Sequence, residues 1–173
     1  MTSSELFTQR LNKLRQRLSE TGIDIGVITD DDSVYYYSGY YGYLHMDFGR
    51  PTLLVVSAEG ETVLITPTME KSLAESLAMV DRIELWNDGI GAEWREALPG
   101  LLGTTAAIGI EPDLIPPPVR TFIDSIVEAK RYRDLTPIVS DMRMIKSQEE
   151  LKIARRAGEV GIAMMDAGRS AIK

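Results

Sequence analysis

Between positions 35 and 50 the chain reads YYYSGYYGYLHMDFGR, and most of what could bind or react lies there. The stretch holds six of the seven tyrosines and the single histidine, His45. Tyrosine offers a large apolar area with a polar tip and few torsions to freeze, so it gathers where a surface must bind. Arg50 carries a guanidinium that can take a carboxylate through two parallel hydrogen bonds, and Phe48 offers an aromatic wall to exclude water beside it. His45 can donate a hydrogen bond or change its charge near neutral pH. The competing reading makes the stretch an aromatic loop that pads a core. His45 is then a packing residue and Arg50 a surface arginine beside an acidic neighbour.

A second cluster, Asp30-Asp31-Asp32, has the composition of a cation site. A metal would need ligands converging from other elements as well. The simpler reading is that one of these aspartates caps a short helical turn over 33–37. Other chemistries are excluded by type. Without cysteine there is no disulfide, thiolate metal site or cysteine nucleophile. Neither a Gly-x-Ser-x-Gly elbow nor a Walker loop occurs, and no two carboxylates read as a paired acid and base. No residue of the chain is assigned a catalytic role or a metal.

At 173 residues and 44% hydrophobic content the chain is long enough to bury a core. A formal net charge of −7 argues against a nucleic-acid surface. The first residues are charged with no apolar stretch behind them, and no run approaches about eighteen apolar residues. The expectation is a cytoplasmic protein with no membrane segment.

The elements that must position these residues follow from periodicity. Positions 2–19 predict a helix, opened by a Thr2–Glu5 capping box and striped by Phe7, Leu11, Leu14 and Leu18. Its other face is basic, through Arg10, Lys13, Arg15 and Arg17, and reads as solvated. Strands are expected over 23–29, 82–86, 105–110 and 134–139, with a hairpin from 51–57 and 61–66 around Ala58-Glu59-Gly60. Helices are expected over 69–79 and 92–102, and from the prolines at 116–118 to about 129. Strands alternating with helices after a hairpin imply an α/β fold: a mixed β-sheet flanked by helices on both faces. Residues 1–140 then form one domain. Residues 141–173 form a separate piece, with a second capping box at Ser147–Glu150 and a long helix carrying a broad apolar surface.

That tail carries a resemblance. Residues 143–158, RMIKSQEELKIARRAG, resemble the linker and first catalytic-domain helix of the creatinase, prolidase and aminopeptidase P (Xaa-Pro peptidase) family. Residues 32–40, DSVYYYSGY, are similar to the Asn-x-x-Tyr-x-Ser/Thr-Gly turn of its N-terminal domain, so the resemblance covers essentially the whole chain. It implies a ribonuclease H-like N-terminal domain followed by a linker and the opening helix of a truncated pita-bread catalytic domain. The family's metal ligands, aspartates, a histidine and glutamates, lie in that catalytic domain. The piece in hand is therefore expected to be inert and cofactor-free, with divalent ions (Mn, Co or Zn) in the missing part. The string Phe48-Gly49-Arg50-Pro51 resembles the creatinase branch, where the phenylalanine and arginine reach into a partner subunit's active site. By that resemblance Phe48, Arg50 and His45 are expected to contact substrate in trans, in a homodimer, while Tyr35, Tyr36 and Tyr37 anchor the stretch to its own sheet. The substrate would be a small creatine-like or ectoine-like molecule or an Xaa-Pro dipeptide. A self-associating interaction module without metals is the alternative.

Overall fold

The computed structural model describes residues 3–42, 50–87, 94–104 and 106–172. It divides into two compact units, Met1–Val139 and Ser140–Lys173.

The first unit is built on a six-stranded sheet. Its strands are β1 (Ile25–Ile28), β2 (Leu53–Ser57), β3 (Thr62–Pro67), β4 (Arg82–Trp86), β5 (Ile108–Ile110) and β6 (Tyr132–Asp134), in spatial order β4-β3-β2-β1-β5-β6. β1, β2 and β3 form an antiparallel meander, while β4 joins β3, β5 joins β1 and β6 joins β5 in parallel. The sheet is mixed because the hairpin over 58–60 turns back directly, whereas each parallel partner is reached through a helix.

Side chains alternate across the sheet. Ile25, Val27, Leu53, Val55, Val63 and Ile65 face one layer, which holds Trp94, Leu98 and Leu102 of α4 (Trp94–Leu102) and Val119 and Ile123 of α5 (Pro117–Ile126). On the other face Leu18 of α1 (Ser3–Glu20) packs over Gly26. Gly26 and Gly109 are paired neighbours on β1 and β5, and both lie against Leu135. A Cβ at Gly109 would stand 3.0 Å from Ile23 Cγ2, which would have to give way, whereas one at Gly26 would meet only ordinary contacts. Helices α2 (Asp31–Ser38) and α3 (Lys71–Leu77) complete the first unit, α3 following a 3-10 turn at Thr68–Glu70.

The expected strand over 134–139 is corrected. β6 ends at Asp134, and a helix, α6 (Thr136–Met144), begins two residues later. Asp134 starts it, its Oδ1 accepting from the Thr136 amide at 2.8 Å. Pro137 sits in the first turn, where a missing N–H costs nothing. The buried residues Leu135, Ile138, Val139 and Met142 are spaced by three and four, a helical period that the β-branched pair Ile138-Val139 disguises. Other boundaries shift less: the 69–79 helix is shortened to α3 after its 3-10 turn, and α5 ends at Ile126. The Thr2–Glu5 capping box involves Thr2, which lies outside the described residues.

In the second unit α7 (Gln148–Ala171) starts from a true capping box. The Glu150 amide donates to Ser147 Oγ at 3.2 Å and the Ser147 amide donates to Glu150 Oε2 at 2.8 Å. Ile153, Val160, Ile162, Met164 and Met165 are exposed along it. No helix among the described residues is long and apolar enough to cross a membrane.

Candidate functional site

The tyrosine-rich stretch begins on α2. Asp30 caps that helix, its Oδ2 accepting from both the amide and the hydroxyl of Ser33 at 2.9 Å. The middle-sized cluster Asp30–Asp32 is thereby committed at its first member to a cap, as the sequence suggested. Gly39 ends the helix in the left-handed region, φ 74°, with its amide donating to Tyr35 O at 2.8 Å. Ser38 Oγ donates to Val34 O and accepts from the Tyr40 amide, which turns the chain sharply towards the sheet.

Four tyrosines separate into two roles. Tyr37 and Tyr40 are fully buried, whereas Tyr35 and Tyr41 are 47% and 51% exposed. The anchor is therefore Tyr37 with Tyr40, in place of the expected run 35–37. Tyr35 stands edge-on between Phe7 and Tyr41, with ring centroids 6.1 Å apart in both contacts. Tyr36 lies under the guanidinium of Arg10, 3.9 Å from its ring centroid, and its carbonyl accepts from Arg10 Nη1 at 2.9 Å. Arg10 is buried, so the basic face of α1 is not simply solvated. Arg15 also leaves it, donating to Asp81 at 2.7 Å.

Tyr40 ends in a buried series of polar side chains. Its hydroxyl donates to Glu70 Oε2 and lies 3.1 Å from Thr66 Oγ1, which lies 3.3 Å from Thr52 Oγ1. Burial holds the Tyr40 hydroxyl well above the ordinary phenol range, and the Glu70 acceptor pushes it further in the same direction. Glu70 escaped the sequence reading. An acidic residue at the start of a helix looks like compensation for the helix dipole, and nothing local shows that it is buried.

Of the three predicted substrate residues, Arg50 is half-buried, directly before the buried Pro51 and Thr52 and three residues ahead of β2. His45 and Phe48 lie outside the described residues. Among the described residues no group of three or more His, Cys, Asp or Glu side chains converges as a cation site needs. No chemical step among the described residues is routed through a metal.

The Creatinase/Prolidase N-terminal domain matches residues 10–145. A Xaa-Pro dipeptidase of Pyrococcus furiosus is 27% identical over 156 residues, covering 88% of this chain and 39% of that protein. A creatinase of a Bacillus species is 22% identical over 178 residues, covering 98% of this chain and 42% of that protein. Among solved structures, the prolidase from Pyrococcus horikoshii OT3 shares the fold with a TM-score of 0.77 at 22% identity, over 95% of this chain and 43% of that one. The chain thus spans about two fifths of the length of the relatives it matches.

Proposed function

Because the chain belongs to the Creatinase/Prolidase N-terminal domain family, we propose that it is the dimer-forming, substrate-capping domain of a metal-dependent hydrolase that cleaves a C–N bond. The observation that carries this reading is the placement of Arg50. It sits half-buried where the tyrosine-rich stretch re-enters the sheet, on backbone held by its buried neighbours Pro51 and Thr52. A guanidinium there can take a carboxylate bidentately. Arg50 would address the carboxylate of a substrate in a partner subunit's site, with Phe48 as the aromatic wall and His45 as a donor. The catalytic metals, manganese, cobalt or zinc, belong to a catalytic domain beyond this chain, and the chain alone does no chemistry. Residues 141–173 would supply the linker and opening helix of that domain. The exposed Ile153, Val160 and Met164 are the surface it would cover.

The test is turnover by the full product of the gene. Supplied with manganese, cobalt or zinc, it should hydrolyse creatine, ectoine or an Xaa-Pro dipeptide, and failure on all of them overturns the reading. Arg50→Ala should raise KM for a carboxylate substrate by about 10- to 100-fold, the worth of a charge-assisted hydrogen-bonded pair. Sedimentation should show a dimer.

The edge-to-face series Phe7–Tyr35–Tyr41, half open to solvent at both tyrosines, favours a second reading. In it the chain is a non-catalytic, self-associating module. The residues encoded after position 173 discriminate: if they lack a set of aspartate, histidine and glutamate ligands, the module reading replaces the hydrolase.

A further inference from the structure

The sheet of the first unit ends at β4 on one side and at β6 on the other. β6 has three residues, whereas β4 has five, Arg82–Trp86. Among the described residues β4 pairs only with β3, which leaves one row of its backbone N–H and C=O groups for a further strand. Ile83, Glu84 and Leu85 are each half-buried there. Folds often guard such an edge with charges that turn a second copy away. On β4 the charges do the reverse. Arg82 and Glu84 stand two positions apart and so share one face of the strand, with side chains 38% and 39% exposed. They carry opposite signs and touch each other, and Arg82 also donates to Glu61 at 3.0 Å. Opposite charges at that spacing make the edge complementary to itself.

Two copies of one strand related by a two-fold axis meet as an antiparallel pair. Outward-facing backbone groups alternate along a strand, so the axis passes through a residue, and each alternative register moves it by one residue. With the axis at Arg82, that arginine opposes the partner's Arg82. With the axis at Glu84, the glutamate opposes the partner's Glu84. Both place like charges opposite each other, which destabilises a strand pair. With the axis at Leu85, Glu84 opposes the partner's Trp86, and the Trp86 carbonyl already accepts from Thr68 Oγ1 at 3.0 Å. With the axis at Ile83, Arg82 opposes the partner's Glu84 on both sides, and the paired stretch stops at Leu85, short of that occupied carbonyl.

We infer that the β4 edge is a docking surface for a second copy of this chain. The partner's β4 adds antiparallel, centred on Ile83, and joins the two six-stranded sheets into one, with Arg82 against the partner's Glu84 on each side of the axis. The inference rests on the homodimer reading above and deepens it by naming where the copies meet. Five residues a side fall short of the roughly 20–30 of a standard interface, so the edge taken alone gives a reversible association whose strength dilution can read.

The 173-residue chain contains no cysteine, so single cysteines can map the contact. Directly opposed residues have Cα atoms about 4.5–5.5 Å apart, within the span of a disulfide, whereas diagonal neighbours at about 7–8 Å lie beyond it. Under mild oxidation Ile83→Cys should cross-link to itself. Arg82→Cys alone and Glu84→Cys alone should not, but a mixture of those two variants should. Charge reversal gives a second readout by sedimentation. Arg82→Glu alone and Glu84→Arg alone should each dissociate about tenfold more readily than wild type, since both oppose like charges. Mixed together they should associate again, because every opposed pair then carries opposite signs. A dimer in which Ile83→Cys does not cross-link, or in which Arg82→Cys and Glu84→Cys cross-link as well alone as together, overturns the edge while leaving the homodimer reading standing. Charge variants that associate no better mixed than alone also overturn it. A chain that sediments as a monomer with no Ile83→Cys cross-link overturns both.

Discussion

Replacing Gly39 by alanine tests how the tyrosine-rich stretch leaves its helix. Two costs add at this position. The backbone lies at φ 74°, where an L-residue pays about 1–2 kcal/mol. The new Cβ would stand 2.7 Å from Cε2 of Phe7 and 3.0 Å from its Cδ2. Ordinary carbon contacts lie near 3.5–4.0 Å, so the ring must retreat by about 1 Å. Phe7 is half-buried and can move, but it then gives up its edge contact with Tyr35, worth roughly 0.5–1.5 kcal/mol. Alanine also restricts the unfolded chain, which returns about 0.4–1 kcal/mol. The net loss is about 2 kcal/mol. Urea unfolding followed by tryptophan fluorescence measures it directly, because Trp86 and Trp94 are both buried in the first unit. The midpoint should fall with the slope unchanged. In a Phe7→Ala background the ring no longer obstructs, and the same substitution should cost only about 1 kcal/mol. A loss below about 0.5 kcal/mol, or equal losses in the two backgrounds, would refute the reasoning.

Three further outcomes follow from the same structure. Arg131 is buried and donates to the carbonyls of Leu102, Gly103 and Ala106 at 2.8–3.0 Å, completing the C-terminal end of α4. Arg131→Met should cost roughly 2–4 kcal/mol in the same urea assay, since it orphans carbonyls at the negative end of a helix. Asp30→Ala removes the cap from α2 and should cost about 1–2 kcal/mol, while Asp30→Asn should restore most of it. The folded chain keeps the Tyr40 proton to a higher pH than the unfolded chain does, so its contribution is complete below about pH 10 and is lost as pH rises further. Urea midpoints between pH 9 and 11 should fall more steeply in wild type than in Tyr40→Phe, and equal slopes would contradict the buried-phenol assignment.

Much of the architecture is legible from short stretches. The Asp30 cap, the prolines opening α5, the glycine-containing turn between β2 and β3 and the Ser147–Glu150 box each depend on residues within about four positions of one another. Where two local signals compete, reading by residue type fails. Ile138 and Val139 favour a strand by their branching, but the helical spacing from Leu135 to Met142 prevails, because Asp134 supplies the cap and Pro137 tolerates the first turn. The tyrosines show the same limit. Composition marks the stretch as unusual, yet it cannot say which rings go inside.

The sequence by itself determined the run of elements as far as β5 and α5, the mixed α/β class and the family to which the domain belongs, but not the helix that replaces the strand expected over 134–139. It also marked Arg50 and its neighbours as the residues with binding chemistry. Only the tertiary structure decided which distant polar residues meet. Tyr40 and Glu70 are 30 positions apart, and Thr52 and Thr66 are 14 apart. They meet because β2 pairs antiparallel with β3 and because Gly39 turns the end of α2 inward. Whether a polar side chain is exposed or buried with a partner depends on which elements close over it, and that is a property of the sheet order. For the same reason Arg10, one of four basic residues on a helix face, is drawn over the rings of Phe7 and Tyr36, while Tyr40 donates to a buried carboxylate that no local pattern announces.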